Sequence, residues 1–240
     1  MTNVVILNSQ LHRTLRVQAG ASARFGDDRR FVQVIANEFP LLAIHYPVFF
    51  AKDADTGAFY CGAMLGFDEG ENLFLEEGRP QSAYRPLNLQ RGPFYTAGNE
   101  LAVDLDSPRM DGEAGEALFT PAGEPTAYLE SIKAAMRELR DGLERTKIFI
   151  DTLMTLKLIE PVNIKVGFDD GTKRDVVGLY TISQDALRGL PDADVLELFR
   201  RGYLHLIYLM IASLKQVPVL AQKKNRRILA QSESLGLARL

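Results

Sequence analysis

The sequence predicts an α+β fold, and three features of the residue pattern predict it. The first part of the chain contains short apolar runs separated by turn-forming residues, which is typical of strands and hairpins. The middle repeats apolar residues at helical spacing over a long stretch. A second hairpin pattern and further helical segments complete the chain. We expect a single compact domain over residues 1–214, with a β-rich part at 1–123 and a helix–hairpin–helix part at 124–214.

Short strands and one short helix account for the first 67 residues. Alternating apolar residues predict strands at 4–7 and 11–17. A short helix is expected at 38–45, and Pro47 then ends it. Strands are expected at 48–51 and 59–67, and the turn between them makes a hairpin.

The composition changes between residues 68 and 123. This region is rich in glycine, proline and acidic residues, and its apolar runs are brief. Such a composition predicts short strands joined by long ordered loops. Long loops in a compact domain are commonly functional or mobile, so this region is the first place to look for a site.

Residues 126–159 predict a long amphipathic helix. Thr126 is a suitable N-cap, and Gly142 indicates a kink or a close approach of another segment. The apolar stripe follows the a/d spacing of a helix–helix seam. It either packs inside the domain, against residues 203–214 and 162–182, or forms part of a dimer or partner interface. The stripe consists of Leu129, Ile132, Met136, Leu139, Leu143, Thr146, Ile150 and Leu153.

A second hairpin and more helices are expected after this helix. Strands are predicted at 162–168 and 175–182, followed by a short helix capped by Ser183 and by helices over 192–214 that break at Gly202. The apolar run at 203–214 is too short to span a membrane and predicts a helix buried on nearly all sides. Residues 215–240 form a basic tail, either solvated or a docking segment for an acidic partner, with Lys223, Lys224, Arg226 and Arg227.

Composition and charge exclude several classes of protein. The net charge of −3 gives no general attraction to nucleic acid or to anionic membranes, so we expect no nucleic-acid partner and no membrane insertion. The N-terminus does not read as a signal peptide, and one cysteine cannot form an intrachain disulfide, so we expect a cytoplasmic protein. The run around Cys61 predicts a buried structural thiol.

No motif for a metal, a cofactor or a catalytic nucleophile stands out. The three histidines, His12, His45 and His205, lie on separate predicted elements, so we expect no metal site and no cofactor. Paired carboxylates at Asp104 and Asp106, on one face of a predicted strand, could serve acid–base chemistry or simply form a turn. We assign no catalytic residue and lean towards a protein that is not an enzyme.

The most unusual local sequence is the loop over residues 83–95. It combines arginines, prolines, tyrosines and amides, which suits recognition of a peptide or an acidic ligand. Alternatively the loop is a connector whose arginines bind the protein's own carbonyls and carboxylates. The candidate binding residues are Tyr84, Arg85, Asn88, Gln90, Arg91, Tyr95 and Asp104.

The order and spacing of several short segments resemble the bacterial SapC family from about residue 4 to residue 214. The matching segments are Tyr46-Pro47-Val48-Phe49-Phe50, Gly66-Phe67, Glu71-Asn72-Leu73-Phe74, Tyr84-Arg85-Pro86, Arg91-Gly92-Pro93-Phe94, Ala117-Leu118-Phe119, Gly178-Leu179-Tyr180-Thr181-Ile182 and Gly202-Tyr203-Leu204. The resemblance implies an association with a surface-layer locus, and relatives of the family occur beside genes for flavin-dependent tryptophan halogenases, cupin-like hydroxylases and TonB-dependent receptors.

The function expected from these observations is that of a non-catalytic binding or accessory protein in a bacterial surface-protein or peptide-modification pathway. Its partner would be a protein or a peptide. The sequence does not decide whether the protein also forms a homodimer. An enzyme that uses the 84–95 loop with Asp104 and Asp106 is the first alternative. A structural oligomeric component is the second.

Overall fold

The computed structural model describes residues 3–75, 84–110 and 115–237, and it is an α+β structure as the sequence predicted. Ala83, the first residue of the predicted loop, and residues 238–240 of the predicted tail lie outside these ranges. The strands are β1 (Val4–Ile6), β2 (Arg16–Val17), β3 (Phe31–Gln33), β4 (Val48–Lys52), β5 (Phe59–Met64), β6 (Phe94–Ala97), β7 (Glu100–Asp104), β8 (Glu116–Ala117), β9 (Ile159–Gly167) and β10 (Lys173–Ile182). The helices are α1 (Phe39–Leu42), α2 (Leu87–Gln90), α3 (Ala127–Thr155), α4 (Gln184–Arg188), α5 (Asp192–Arg200), α6 (Tyr203–Ser213) and α7 (Gln216–Leu237).

The main sheet has five antiparallel strands in the order β3-β5-β4-β10-β9. Both predicted hairpins, β4–β5 and β9–β10, are confirmed. They join into one sheet because β4 pairs with β10, with Leu179 opposite Ala51 and Tyr180 opposite Phe50. A bulge interrupts β10 between Val176 and Leu179.

Two smaller sheets come from the loop-rich region and the N-terminus. β1, β7 and β6 form a three-stranded sheet, and β2 pairs with β8. The strand predicted over residues 11–17 is wrong except for β2. The side chain of Asn8 accepts hydrogen bonds from the backbone N–H groups of Gln10 and Leu11 and thereby forms a turn. Leu11 is 80% exposed as a result.

The long helix α3 confirms the prediction from spacing. The Thr126 side chain accepts a hydrogen bond from the backbone N–H of Leu129 at 3.3 Å, which caps the helix. Every residue of the predicted stripe is buried except Leu143, so the stripe packs within the chain. Its first half lies in a cluster with Phe94, Val103 and Leu118 of the small sheets, whereas the expected cover was residues 162–182 and 203–214. Its second half enters the core of the main sheet.

Gly142 marks a close approach, one of the two readings that the sequence left open. A Cβ atom at this position would lie 2.3 Å from the Ile35 side chain, which is fully buried. One turn later, Thr146 Oγ1 accepts a hydrogen bond from the backbone N–H of Ala36 at 2.8 Å and donates to the Gly142 carbonyl. The helix is therefore fixed to the segment after β3 by a glycine contact and a hydroxyl.

The apolar helix α6 is less buried than the sequence predicted. Ile207, Met210 and Ser213 are buried, but Tyr208 is 59% exposed, so one face of the helix is open. By length and composition, one stretch of the described residues, Tyr203–Glu233, is apolar enough to cross a membrane. Core helices of soluble proteins meet the same criterion. Here Ser213 Oγ accepts a hydrogen bond from the backbone N–H of Val48, which anchors α6 to the main sheet.

The predicted C-terminal tail is instead a helix, α7, that docks on the protein. Leu220 is buried, and Lys224 forms ion pairs with Asp68, at 2.9 Å, and with Glu71. Arg227 donates to the carbonyls of Asn72 and Leu75. The sequence showed the basic residues but not that their acidic partner lies in the same chain.

Lys224→Ala is expected to loosen α7 without unfolding the protein, because Asp68 and Glu71 lose a shared cation. Hydrogen exchange measured by mass spectrometry at neutral pH should show several-fold faster exchange in α7 and no change in α3. Lys215→Ala, at an exposed residue, is the control. Equal protection of α7 in both variants would contradict a docking role for Lys224.

The lowered pKa of Asp68, which pairs with both Arg174 and Lys224, predicts that the docking of α7 is sensitive to acid. The hydrogen bond from Arg174, with smaller contributions from Lys224, holds the pKa of Asp68 below its usual value. A carboxyl group with a lowered folded-state pKa stabilises the fold fully above its unfolded pKa of about 3.9, and this contribution is lost as the pH falls through the folded value. Exchange in α7 of the wild type, corrected for its intrinsic pH dependence, should therefore rise below about pH 4.

Candidate functional site

The first arginine of the candidate loop binds the protein itself. Arg85 forms an ion pair with Asp27 at 3.2 Å, and its guanidinium also donates to the carbonyl of Ala19. Asp27 is 4% exposed and forms a second, closer ion pair with Arg109 at 2.6 Å. Burial lowers the pKa of Arg85, but the group still carries the charge that Asp27 requires. This buried cluster holds the loop to the segment before β3.

Tyr84 and the backbone that follows it bind a second buried carboxylate, Glu38. The Glu38 side chain accepts hydrogen bonds from the Tyr84 hydroxyl at 3.2 Å, from the Leu87 N–H at 2.8 Å and from the Ile35 N–H at 3.0 Å. Burial raises the pKa of Glu38, and burial together with the Glu38 charge raises that of Tyr84. The Tyr84 carbonyl in turn accepts a hydrogen bond from Tyr46 at 2.6 Å.

The remaining polar side chains of the loop also have partners within the chain. Asn88 donates to the carbonyl of Gln33 at 2.9 Å, and Gln90 donates to the carbonyl of Arg85. Arg91 donates to the Phe94 carbonyl and to the Asn88 side chain, and its guanidinium lies 4.7 Å from the centre of the Tyr95 ring. Tyr95 is 38% exposed and is the most open of the candidate residues of the loop.

The two aspartates proposed as a pair do not share a strand face. Asp104 ends β7 and is 8% exposed, whereas Asp106 lies in the following turn. The Asp104 carboxylate accepts a hydrogen bond from the backbone N–H of Asp106 at 3.1 Å, which stabilises that turn. The turn-forming role that the sequence left open is the one observed.

The candidate loop, which includes α2 and the start of β6, therefore acts as a clasp on residues 27–38, through hydrogen bonds to Asp27, Gln33 and Glu38. The acids that hold it, Asp27 and Glu38, were missed by sequence reasoning. Nothing in the residue pattern distinguishes Asp27 from the neighbouring Asp28, so the sequence does not show which of the two is buried and ion-paired. Glu38 stands at the start of a predicted helix, where an acid is ordinary.

The structure shows an open cleft elsewhere, on one face of the main sheet. Strand register places Phe31, Met64, Tyr60, Ala51 and Leu179 on this face. They form the apolar floor of a cleft of about 560 Å³ whose lining residues come from strands and the loops that connect them. That volume falls within the range of about 300–1,000 Å³ typical of ligand sites.

A second cleft, of about 950 Å³, adjoins the first, and Phe31 and Tyr60 line both. Its far wall is the exposed side of α3, where Leu143 and Met154 are 42% and 46% exposed. We call these two adjoining clefts together the Phe31–Tyr60 cleft. The β10 bulge lines the first part, and the middle of α3 lines the second.

The aromatic pair Phe31 and Tyr60, which lines both parts of this cleft, packs against a glycine. The Phe31 ring lies directly on Gly62, where a Cβ atom would come within 2.1 Å of the ring. Phe31 also contacts Tyr60 edge to face, with ring centres 6.2 Å apart. The pair thus presents a rigid aromatic surface to the cleft, built on the sheet and not on a loop.

Charges of both signs stand at the rim. Arg30 and Glu69 form an ion pair at 2.7 Å, with side chains 41% and 80% exposed, so the pair can open towards a ligand at little cost. Cys61 lines the cleft but is fully buried, as the sequence predicted, and burial raises its pKa. The Cys61 thiol is therefore protonated at neutral pH and is a poor nucleophile.

The histidines lie apart. His12 accepts a hydrogen bond from the Asn8 N–H, His45 stacks edge to face on Tyr46, and His205 is exposed on α6. Within the described ranges, no group of three or more histidine, cysteine, aspartate or glutamate side chains is arranged to hold a metal ion.

Comparisons with known proteins give one match. The searches of curated proteins and of solved structures found no match to this chain. A family model matches residues 7–220 of the 240-residue chain, and that span includes the clasp, the cleft and all of the main sheet. The chain therefore belongs to the SapC family.

Proposed function

We propose that this protein is a binding component that holds an extended segment of a partner polypeptide in the Phe31–Tyr60 cleft. The observation that carries the proposal is that one aromatic pair, Phe31 and Tyr60, lines two adjoining clefts. The floor is apolar, the rim carries exposed charges of both signs, and the whole is supported by a sheet. These are the properties of a surface that recognises side chains of mixed character.

A polypeptide segment fits the shape of the cleft better than a compact ligand does. Two adjoining open clefts suit an extended chain, which advances about 3.3 Å per residue and sends alternate side chains to one side. Apolar side chains would contact the Phe31–Tyr60 pair, and charged ones would reach Arg30 or Glu69. The Cys61 thiol, which lines the second part of the cleft, stays protonated and supplies no nucleophile there.

The pathway we propose is bacterial surface-protein or peptide modification in the cytoplasm, with this protein as a non-catalytic partner. Membership of the SapC family supports the proposed pathway. The alternative of an enzyme centred on the 84–95 loop is less favoured, because Arg85, Glu38 and Asp104 already bind groups of the same chain.

A substitution at the cleft tests the proposal. Val177 lines the cleft and is 65% exposed, so Val177→Asp should leave the fold unchanged. Random twelve-residue peptides displayed on phage would be selected on the wild type and then measured by fluorescence polarisation. We expect enriched peptides to bind Val177→Asp at least about tenfold more weakly, because an apolar contact of roughly 1.4 kcal/mol is replaced by a desolvated charge.

The matched control is Tyr208→Asp. Tyr208 is exposed to a similar degree, 59%, but it lies on α6 and lines neither part of the cleft. The same peptides should bind this variant as they bind the wild type. If selection enriches no peptide, or if both variants lose binding equally, the cleft is not the binding site and the proposal fails.

A further inference from the structure

The edge of the main sheet formed by β9 is open. In the part of the chain that the structure describes, β9 pairs with β10 alone and is the last strand of the sheet. The opposite edge strand, β3, has three residues, and Asn88 donates a side-chain hydrogen bond to its Gln33 carbonyl. The protein thus covers a short edge and leaves a nine-residue edge available.

Two contacts at the ends of β9 show which backbone groups face this open edge. The Phe168 N–H donates to the Thr172 carbonyl at 2.9 Å, and the Leu158 carbonyl accepts from Ser183 at 2.8 Å. Both groups point towards β10. Because successive residues of a strand direct their backbone groups to opposite sides, the odd-numbered residues of β9 direct theirs outward. The bulge does not disturb this alternation, since the extra residue belongs to β10.

We propose that β9 pairs with β9 of a second copy of this chain, antiparallel about a two-fold axis at Asn163, to form one continuous ten-stranded sheet. Asn163 is the central residue of β9, so this register pairs the strand over its full length. An antiparallel ladder of this length supplies roughly eight hydrogen bonds between the copies. The interface does not involve the Phe31–Tyr60 cleft, so it stands independently of the proposed function.

The single proline of β9 fits this register. Pro161 lies at an outward-facing position, where a missing N–H leaves its neighbour without a donor. In the register centred on Asn163, it stands opposite Lys165 of the second copy. The Lys165 N–H then donates to the Pro161 carbonyl, and only one donor per pair is lost.

Other registers are less favourable for identifiable reasons. A two-fold axis at Pro161 places two residues without N–H groups opposite each other, and one at Lys165 places two like charges opposite each other. Registers centred on Val162 or Ile164 shorten the ladder. The central register also brings Val162 against Ile164 of the second copy, and both side chains are only partly buried in the single chain.

Engineered cysteines test both the contact and the register. Across the axis, the two Asn163 Cα atoms would lie about 5.5 Å apart, which is within the range that a disulfide spans. Mild oxidation should therefore convert most of Asn163→Cys to a covalent dimer on a non-reducing gel. Lys165→Cys should not cross-link, since its two copies would stand at least about 13 Å apart. The native Cys61 is buried and does not interfere.

The association itself is measured by light scattering coupled to size exclusion. We expect a dimer for the wild type and for Asn163→Thr, which keeps its backbone N–H. Asn163→Pro removes the central donors and should be a folded monomer, its folding checked by a cooperative melt. A monomeric wild type, or cross-linking at residue 165 and not at residue 163, would overturn the proposal and leave the edge to a strand from a different protein.

Discussion

Replacing Ile132 and Leu139 together by aspartate is expected to abolish the cooperative thermal melt. The two side chains are 4% and 5% exposed, and both belong to the cluster that joins α3 to the small sheets. Each loses about 1.5–3 kcal/mol of apolar burial, and each would also bury an unpaired charge, which costs several kcal/mol more. The total loss exceeds the lower end of the usual range for the free energy of unfolding, which is about 5–15 kcal/mol. Circular dichroism during heating measures the outcome.

The matched control places the same two charges on the other side of the helix. Arg137 and Arg145 are exposed, so the Arg137→Asp and Arg145→Asp double variant should melt cooperatively within a few degrees of the wild type. An Ile132→Asp and Leu139→Asp protein that stayed folded but changed from dimer to monomer would show that the stripe faces a partner and not the core.

Asp27→Ala is expected to lower the free energy of unfolding by about 3–5 kcal/mol, because it leaves buried cations without their anion. The side chain of Arg109 is 4% exposed and lies 2.6 Å from Asp27, and Arg85 shares the same carboxylate. The backbone N–H of Ser22 also loses its acceptor. Urea unfolding of the variant and the wild type gives the difference directly.

Asp28→Ala is the control for this prediction. It removes the same group one residue away, where the side chain is partly exposed and has no ion pair among the described residues. Its effect should stay within about 0.5 kcal/mol. If Asp27→Ala cost no more than that, the cluster would not be what holds the loop in place, and the description of residues 84–95 as a clasp would be wrong.

The helix α3 illustrates what the residue pattern could predict about this fold. Its period, its cap at Thr126 and its contact residue Gly142 were all readable, because capping and helical spacing depend on residues within a few positions of one another. The two hairpins were readable for the same reason. The strand over residues 11–17 failed because a local side-chain turn at Asn8 competes with extended structure.

The candidate site was less predictable. The pattern correctly showed that residues 84–95 are unusual, but the same arginines and amides suit an external ligand and an internal carbonyl equally well. Which of these applies depends on Asp27 and Glu38, and Arg85 is separated from Asp27 by 58 residues in sequence. The Phe31–Tyr60 cleft gave no signal at all, since a floor of ordinary apolar strand residues looks like any buried strand.

The sequence by itself determined the class of fold, the positions of its long helix and hairpins, and membership of a family. These depend on local periodicity and on the order of short segments along the chain. Only the tertiary structure decided that the hairpins join through β4 and β10, that α7 docks on Asp68 and Glu71, and that β9 forms an edge with no second partner strand among the described residues. Which distant segments pair, and which residues become buried, depends on how all parts of the chain pack together. No short stretch of residues carries that information.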